Sequence, residues 1–223
     1  MTIRAEKKAK TRRSLLDAAL TLMESGRSFT GLSLREVTKE AGVVPTSFYR
    51  HFEGMEELGL VIVDELGLEM RPMMRDVRQR AGKSAQAVTQ TAHVYIDTVM
   101  GSKPLFRFLI REIDGSSAPI REAIRNELRF FGSEMARDYR ELFGPTEIDV
   151  NDVDLVAEMV ITLMAHVTSE LLDMSDKDSV NKTALVNKLV RQQEIIFLGL
   201  FATKSQTFGA KLADTVSHEE VDS

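Results

Sequence analysis

Apolar residues recur along this chain at spacings of three and four rather than two, and only five prolines interrupt its 223 residues. That spacing lines apolar side chains along one face of a helix and does not suit the two-residue repeat of a half-buried strand. An all-α fold is expected. Leu15, Leu16, Ala18, Ala19, Leu22 and Met23 form the stripe of a first helix that stops near Gly26. Ser33 then stands where an N-cap belongs, with Glu36 three positions on, the pairing of a capping box at the start of a short helix. Gly42 is suited to the left-handed conformation that ends this helix, and Pro45 to the first turn of another short one over residues 46–52.

Longer helices follow. The pattern predicts one over residues 56–80, kinked or broken at Pro72, where a backbone donor is missing. Others are expected over 84–100, 103–113, 118–142, 152–172 and 183–203, with the helix at 152–172 apolar on more than one face. Residues 205–223 lose the pattern and read as a flexible tail. The division expected is a helix-turn-helix module at 1–52, a ligand-binding and dimerisation bundle at 53–204, and the tail at 205–223.

Charge supports the same cut. The formal net charge of −5 speaks against a nucleic-acid partner only as an average. Residues 1–52 hold ten basic and five acidic side chains, a net of +5, and the remaining residues a net of −10. A basic segment on an acidic body suits a nucleic-acid-facing module. Two short helices joined by a tight glycine turn, after a basic helix, form the helix-turn-helix arrangement whose second helix enters the major groove. Ala41 and Gly42 supply small residues at the crossing, while Leu34, Val37, Val43, Phe48 and Phe52 can lock the pair onto the first helix. Thr46, Ser47, Tyr49, Arg50 and His51 are left to point outward.

The segments TRRSLLDAA at 11–19, LSLREV at 32–37, AG at 41–42 and SFYRHF at 47–52 resemble the TetR family of bacterial transcriptional regulators. The motifs REV at 35–37, PTSFYRHF at 45–52, ELG at 57–59, FRFLIRE at 106–112 and GSSA at 115–118 are similar to the FabR/DesT-type repressors of unsaturated fatty-acid synthesis. The resemblance implies a homodimeric repressor bound to palindromic operator DNA, with affinity tuned by a long-chain acyl-CoA or acyl-carrier thioester. It also implies that the last two long helices pair across a dimer axis. Tyr49 and His51 match the family's phosphate-contacting pair. Family members usually carry a phosphate-contacting lysine just after this element; this chain offers Met55.

Arg50 has the length and fork for guanine or phosphate, and Thr46 and Ser47 for base edges or a thymine methyl. Ser33 and Arg35 suit a phosphate at a helix start, and Lys10 and Arg12 belong to a basic cluster that can follow the DNA backbone. Ligand contact is expected from Met100, Phe106, Phe108, Arg111, Phe130, Met159 and Met164, since methionine and phenylalanine suit an acyl-chain cavity. Arg121, Arg125 and Arg129 share a helix face, so either a thioester's phosphates or neighbouring acids such as Glu112 and Glu122 must neutralise them. Alternatives are a TetR-type regulator of another process, such as efflux, with a different apolar ligand, and a lipid carrier with an incidental basic arm.

Other classes fit poorly. Cysteine is absent, which removes disulfides, thiolate nucleophiles and zinc–sulfur sites. His93, His166 and His218 are scattered, so no metal and no cofactor is expected, and no catalytic constellation marks an enzyme. The acidic run at 147–154 lacks the mid-loop glycine of a calcium loop. With no apolar N-terminal core and no long uncharged apolar stretch, a cytoplasmic protein without membrane insertion is expected.

Overall fold

The computed structural model describes residues 3–81, 87–143, 148–174 and 179–203. Among these it contains nine α-helices, one 3₁₀ turn and no strand. The all-α expectation holds.

The N-terminal module is assembled from α1 (Ile3–Glu24), a 3₁₀ turn (Phe29–Gly31), α2 (Leu34–Glu40) and α3 (Pro45–Phe48). Gly26, at φ 95°, ends α1, and Gly42, at φ 68°, makes the tight turn between α2 and α3. Both angles lie where a side chain is strained. The capping box of α2 is complete: the Ser33 hydroxyl accepts from the Glu36 N–H at 3.3 Å, and the Ser33 N–H donates to the Glu36 carboxylate at 2.9 Å. Leu15, Leu16, Ala19, Met23, Val37, Phe48 and Phe52 are buried together, with Leu34 and Val43 packed against them.

The second short helix differs from its expected span of 46–52. Regular α-helix ends at Phe48, and residues 49–51 form turns in which Arg50 and His51 donate their N–H groups to the carbonyls three residues back, Ser47 and Phe48. The Phe52 N–H donates to the Phe48 carbonyl at 3.0 Å, and the two rings lie tilted at 46° with centroids 5.4 Å apart.

The body consists of α4 (Met55–Ala81), α5 (Ala87–Gly101), α6 (Lys103–Glu112), α7 (Ala118–Phe143), α8 (Val150–Asp173) and α9 (Ser179–Thr203). The expected break at Pro72 does not occur; α4 runs through it. Proline deprives the Leu68 carbonyl of its helical donor, but Leu68 and Pro72 are both exposed, so water can replace the missing bond. Helix α4 packs on α5, α6 and α7, and α8 is flanked by α7, α9 and α6. Residues 82–86, 144–147 and 204–223, which include most of the expected tail at 205–223, lie outside the described residues.

Asp149 is the N-cap of α8, its carboxylate accepting the Asn151 N–H at 2.7 Å. Among the described helices α8 alone is long and apolar enough to cross a membrane by length and composition, with a window of mean hydropathy 1.5. Val153, Val156, Val160, Met164, Val167 and Leu171 turn one side of it into the core. Leu155 and Met159 lie exposed on the opposite side, as its two-faced apolar pattern requires.

Candidate nucleic-acid interface and effector region

At the tip of the module, Val44 and Tyr49 are each 65% exposed beside the exposed Pro45, Thr46 and Arg50. Among the described residues no hydrogen bond or ion pair ties the Arg50 side chain to the protein. Arg35 and Ser33 are exposed on α2, and Lys10 on α1; Ser47 is half-buried. Thr46 within α3 and Tyr49 and Arg50 directly after it therefore all face solvent. Sequence inspection passed over Val44, whose exposure at the N-cap of α3 adds an apolar contact of the kind that meets a thymine methyl.

Arg12, expected along the DNA backbone, makes contacts within the protein. Its guanidinium lies 4.7 Å from the centre of the Phe52 ring and donates to the His51 carbonyl at 3.3 Å, so it fastens α1 to the end of the recognition element. His51 is half-buried, and its Nδ1 has no partner among the described residues. Burial first, then the charges of Lys8, Arg12 and Arg50, push its pKa below the usual value, which keeps the imidazole neutral at pH 7. A second brace runs across the module's rear: Arg27 pairs with Glu36 at 2.7 Å and donates to the Gly31 carbonyl at 2.6 Å. The Arg27 hydrogen bond, followed by those from Ser33, lowers the Glu36 pKa to about 2. The capping box marked Glu36 in the sequence, but nothing there marked Arg27.

The seven residues expected at a ligand do not converge. Phe106, Phe108 and Met164 are buried in the core, and Met100 is half-buried at its edge. Phe130 is exposed on α7, and Met159 is exposed on the outer side of α8. Arg111 is held at the joint between module and body by the carbonyls of Met23 and Arg27. Helical spacing placed each on a helix but left open which face meets a neighbour.

The basic row on α7 is also largely engaged. Arg121 donates to the Gly115 carbonyl, and Arg129 bonds Glu122 at 3.1 Å and the Asn126 side chain. Arg125 has a 3.9 Å approach to Asp114, and upstream Arg107 donates to the Leu172 carbonyl at 3.2 Å. Neutralisation within the protein thus accounts for most of the row. Arg125, Arg129 and Arg140 also line a cleft of about 670 Å³ between α7 and α8, shared with Asp154 and Glu158. A groove of about 480 Å³ lies between Leu155, Met159, Leu163 and His166 of α8 and Ile196 of α9.

A three-helix head with an exposed recognition end, set on a separate helical bundle, defines a helix-turn-helix regulator. Residues 15–60 match the family described as bacterial regulatory proteins, tetR family. That match marks residues 15–60 as a DNA-binding segment of the TetR type. The fold resembles that of the fatty acid degradation regulator FadR from Bacillus halodurans, at 15% identity and TM-score 0.64, covering 82% of this chain and 94% of that one. The transcriptional regulator FadR from Bacillus subtilis, solved with stearoyl-CoA, is 16% identical with TM-score 0.63, over 81% of this chain and 96% of that one. A TetR-family regulator from Bordetella parapertussis is 11% identical with TM-score 0.65, over 82% and 93%.

Proposed function

We propose that the protein is a homodimeric repressor of fatty-acid genes whose affinity for a palindromic operator responds to a long-chain acyl thioester. The observation that carries the DNA-binding half is the recognition end itself. Thr46, Tyr49 and Arg50 project from a frame braced by Arg12 and by the Arg27–Glu36 pair. In this reading Arg50 and Thr46 meet base edges, with Ser47 at the margin. Tyr49, His51, Ser33, Arg35 and Lys10 position the module on phosphates. Residues 1–52 act as the DNA-binding part, 53–204 as the effector and dimerisation part, and 205–223 as a tail.

Dimerisation is supported by an uncovered apolar face. Leu155 and Met159 of α8 and Ile195 and Leu198 of α9 are all more than half exposed in the single chain. An exposed patch of this kind on two antiparallel helices suits an isologous four-helix contact. His166 lies beside it, 3.0 Å from Glu170, which Lys188 also holds at 2.8 Å. The acyl thioester rests on the likeness to regulators named for fatty acid degradation, one of them holding stearoyl-CoA. Ligand acts by binding the DNA-competent and incompetent dimers with different affinity.

The test is selection of an operator from random duplex DNA, then gel shift with and without stearoyl-CoA, beside native mass spectrometry of co-purified ligand. A selected palindrome whose binding changes with stearoyl-CoA supports the whole reading. Operator binding with a non-lipid ligand leaves a regulator of another process, such as efflux. Failure to select any duplex, or affinity that does not fall with salt at a log–log slope of about −0.9 per neutralised phosphate, removes the DNA-binding reading.

A further inference from the structure

On α7, Arg121, Arg125 and Arg129 follow one another at four-residue spacing, which sets like charges side by side. Their partners within the protein hold them loosely. Arg121 donates to a neutral group, the Gly115 carbonyl. Arg125 approaches Asp114 at 3.9 Å and Arg129 pairs with Glu122 at 3.1 Å, and these four side chains are 53–89% exposed. Ion pairs so open to water contribute little and give way to a stronger partner.

Arg125 and Arg129 both open onto the cleft of about 670 Å³ between α7 and α8. The two helices run antiparallel: Ala136 is buried with Val153 and Ala157, and Arg140 pairs with Asp154 at 2.7 Å. Asp154 and Glu158, the acids that line the cleft, therefore lie towards its Arg140 end. Arg129 stands eleven residues from Arg140, about 16 Å along the helix. One end of the cleft is thus basic and the other balanced, with the Ser133 and Thr162 hydroxyls between them.

Gly132 lines the same cleft, and an added Cβ there would meet no atom within 4 Å. Glycine weakens the interior of a helix, and no close packing requires it at this position. Its effect is to leave the wall of the cleft open beside the two arginines. Guanidinium forks match the oxygens of phosphate two at a time, which makes phosphate the stronger partner for Arg125 and Arg129.

We propose that the α7–α8 cleft is a binding site for a phosphorylated small ligand, whose phosphates are taken by Arg125 and Arg129 in place of Asp114 and Glu122. Gly132 leaves room for the rest of the ligand. The phosphates of an acyl thioester and those of a free metabolite share this chemistry. The site does not depend on the reading of an acyl chain as effector.

Inorganic pyrophosphate is titrated into the full chain by calorimetry and is expected to saturate the site. Arg125→Gln combined with Arg129→Gln should weaken it about tenfold or more. Glu158→Gln removes an acid from the cleft and should strengthen binding about twofold. Arg137→Gln, on the same helix but outside the cleft and paired with Glu134, should leave it unchanged. Coenzyme A should bind more tightly than pantetheine, which lacks the phosphates, and Gly132→Leu should weaken coenzyme A with every charge in place.

No saturable pyrophosphate binding at millimolar concentration overturns the proposal. Equal affinity in parent and double variant does so too, as does a loss in Arg137→Gln as large as in the double variant. Should the double variant fail to fold, Glu158→Gln and Gly132→Leu decide, and affinities unchanged in both overturn the site. Stearoyl-CoA and stearate separate the sources. A double variant weakened for stearoyl-CoA but not for stearate assigns the phosphates to the thioester; one weakened for pyrophosphate alone assigns them to a free metabolite. A parent that binds pyrophosphate but neither stearoyl-CoA nor stearate tells against the proposed effector and leaves the site in place.

Discussion

The module and the body are both helical and both packed around phenylalanines, yet they relate to their sequence differently. In the module, consecutive residues specify one another: Ser33 with Glu36, Gly42 at its positive φ, and Pro45 in the first turn of α3. In the body, the decisive contacts join residues 50 to 90 positions apart, such as Arg71 with Glu127 and Tyr95 with Thr168. Local rules reach the first kind of contact and not the second. The contrast also separates arrangements: the module exposes Thr46, Tyr49 and Arg50 on a braced frame, whereas the body scatters the residues expected at a ligand between its core (Phe106, Phe108, Met164) and its surface (Phe130, Met159).

The sharpest break in the comparison is a core truncation. Phe48 is fully buried under the recognition end, so Phe48→Ala is expected to destabilise the module by about 3–5 kcal/mol and abolish operator binding. Differential scanning calorimetry with gel shift checks this; a module that melts as before would mean the body supplies its stability. Next is the uncovered face of the body. Leu198→Glu buries a charge in the proposed dimer contact and should weaken association by about 2–4 kcal/mol with helicity intact, read by native mass spectrometry across a dilution series. A dimer that survives unweakened at nanomolar concentration would place the interface elsewhere.

Arg50 and Arg12 test the distinction between contact and frame. Arg50→Ala is expected to lower operator affinity by about 1–3 kcal/mol without changing the melting temperature. Arg12→Ala should instead lower the melting temperature through loss of the Phe52 stack and the His51 bond. Equal thermal effects from the two would erase the division of roles.

The smallest effect expected is one of pH. Glu36 has a folded pKa of about 2, below its ordinary value of 4.5. Its ionised form therefore favours the folded state, a contribution present above about pH 4.5 and lost as pH falls towards 2. Urea denaturation of the parent and Glu36→Gln between pH 6 and pH 2 should show an advantage for the parent that closes on acidification. A constant gap would mean that Arg27 contributes nothing through charge.

Much of this was legible in the sequence and some was not, for identifiable reasons. The capping box, the Gly42 turn and the apolar lock of Val37, Phe48 and Phe52 appeared as read. The helix continues unbroken through Pro72, where exposure of Leu68 lets water meet the carbonyl that proline leaves without a donor. Periodicity predicts α3 to Phe52 rather than Phe48 because it does not separate an α-turn from a tighter one. Composition alone does not separate Met159 and Phe130, which are exposed, from Phe106 and Phe108, which are fully buried.

Helix periodicity, glycine placement and charge segregation were enough to establish an all-α chain with a basic helix-turn-helix head on an acidic body. They suffice because each depends on residues within a turn or two of one another. Only the tertiary structure decided that Arg12 braces rather than projects, that the carbonyls of Met23 and Arg27 hold Arg111, and that Arg125 and Arg129 open onto a cleft between α7 and α8. Those outcomes depend on which helix faces meet across long stretches of chain, and a one-dimensional pattern does not carry that information.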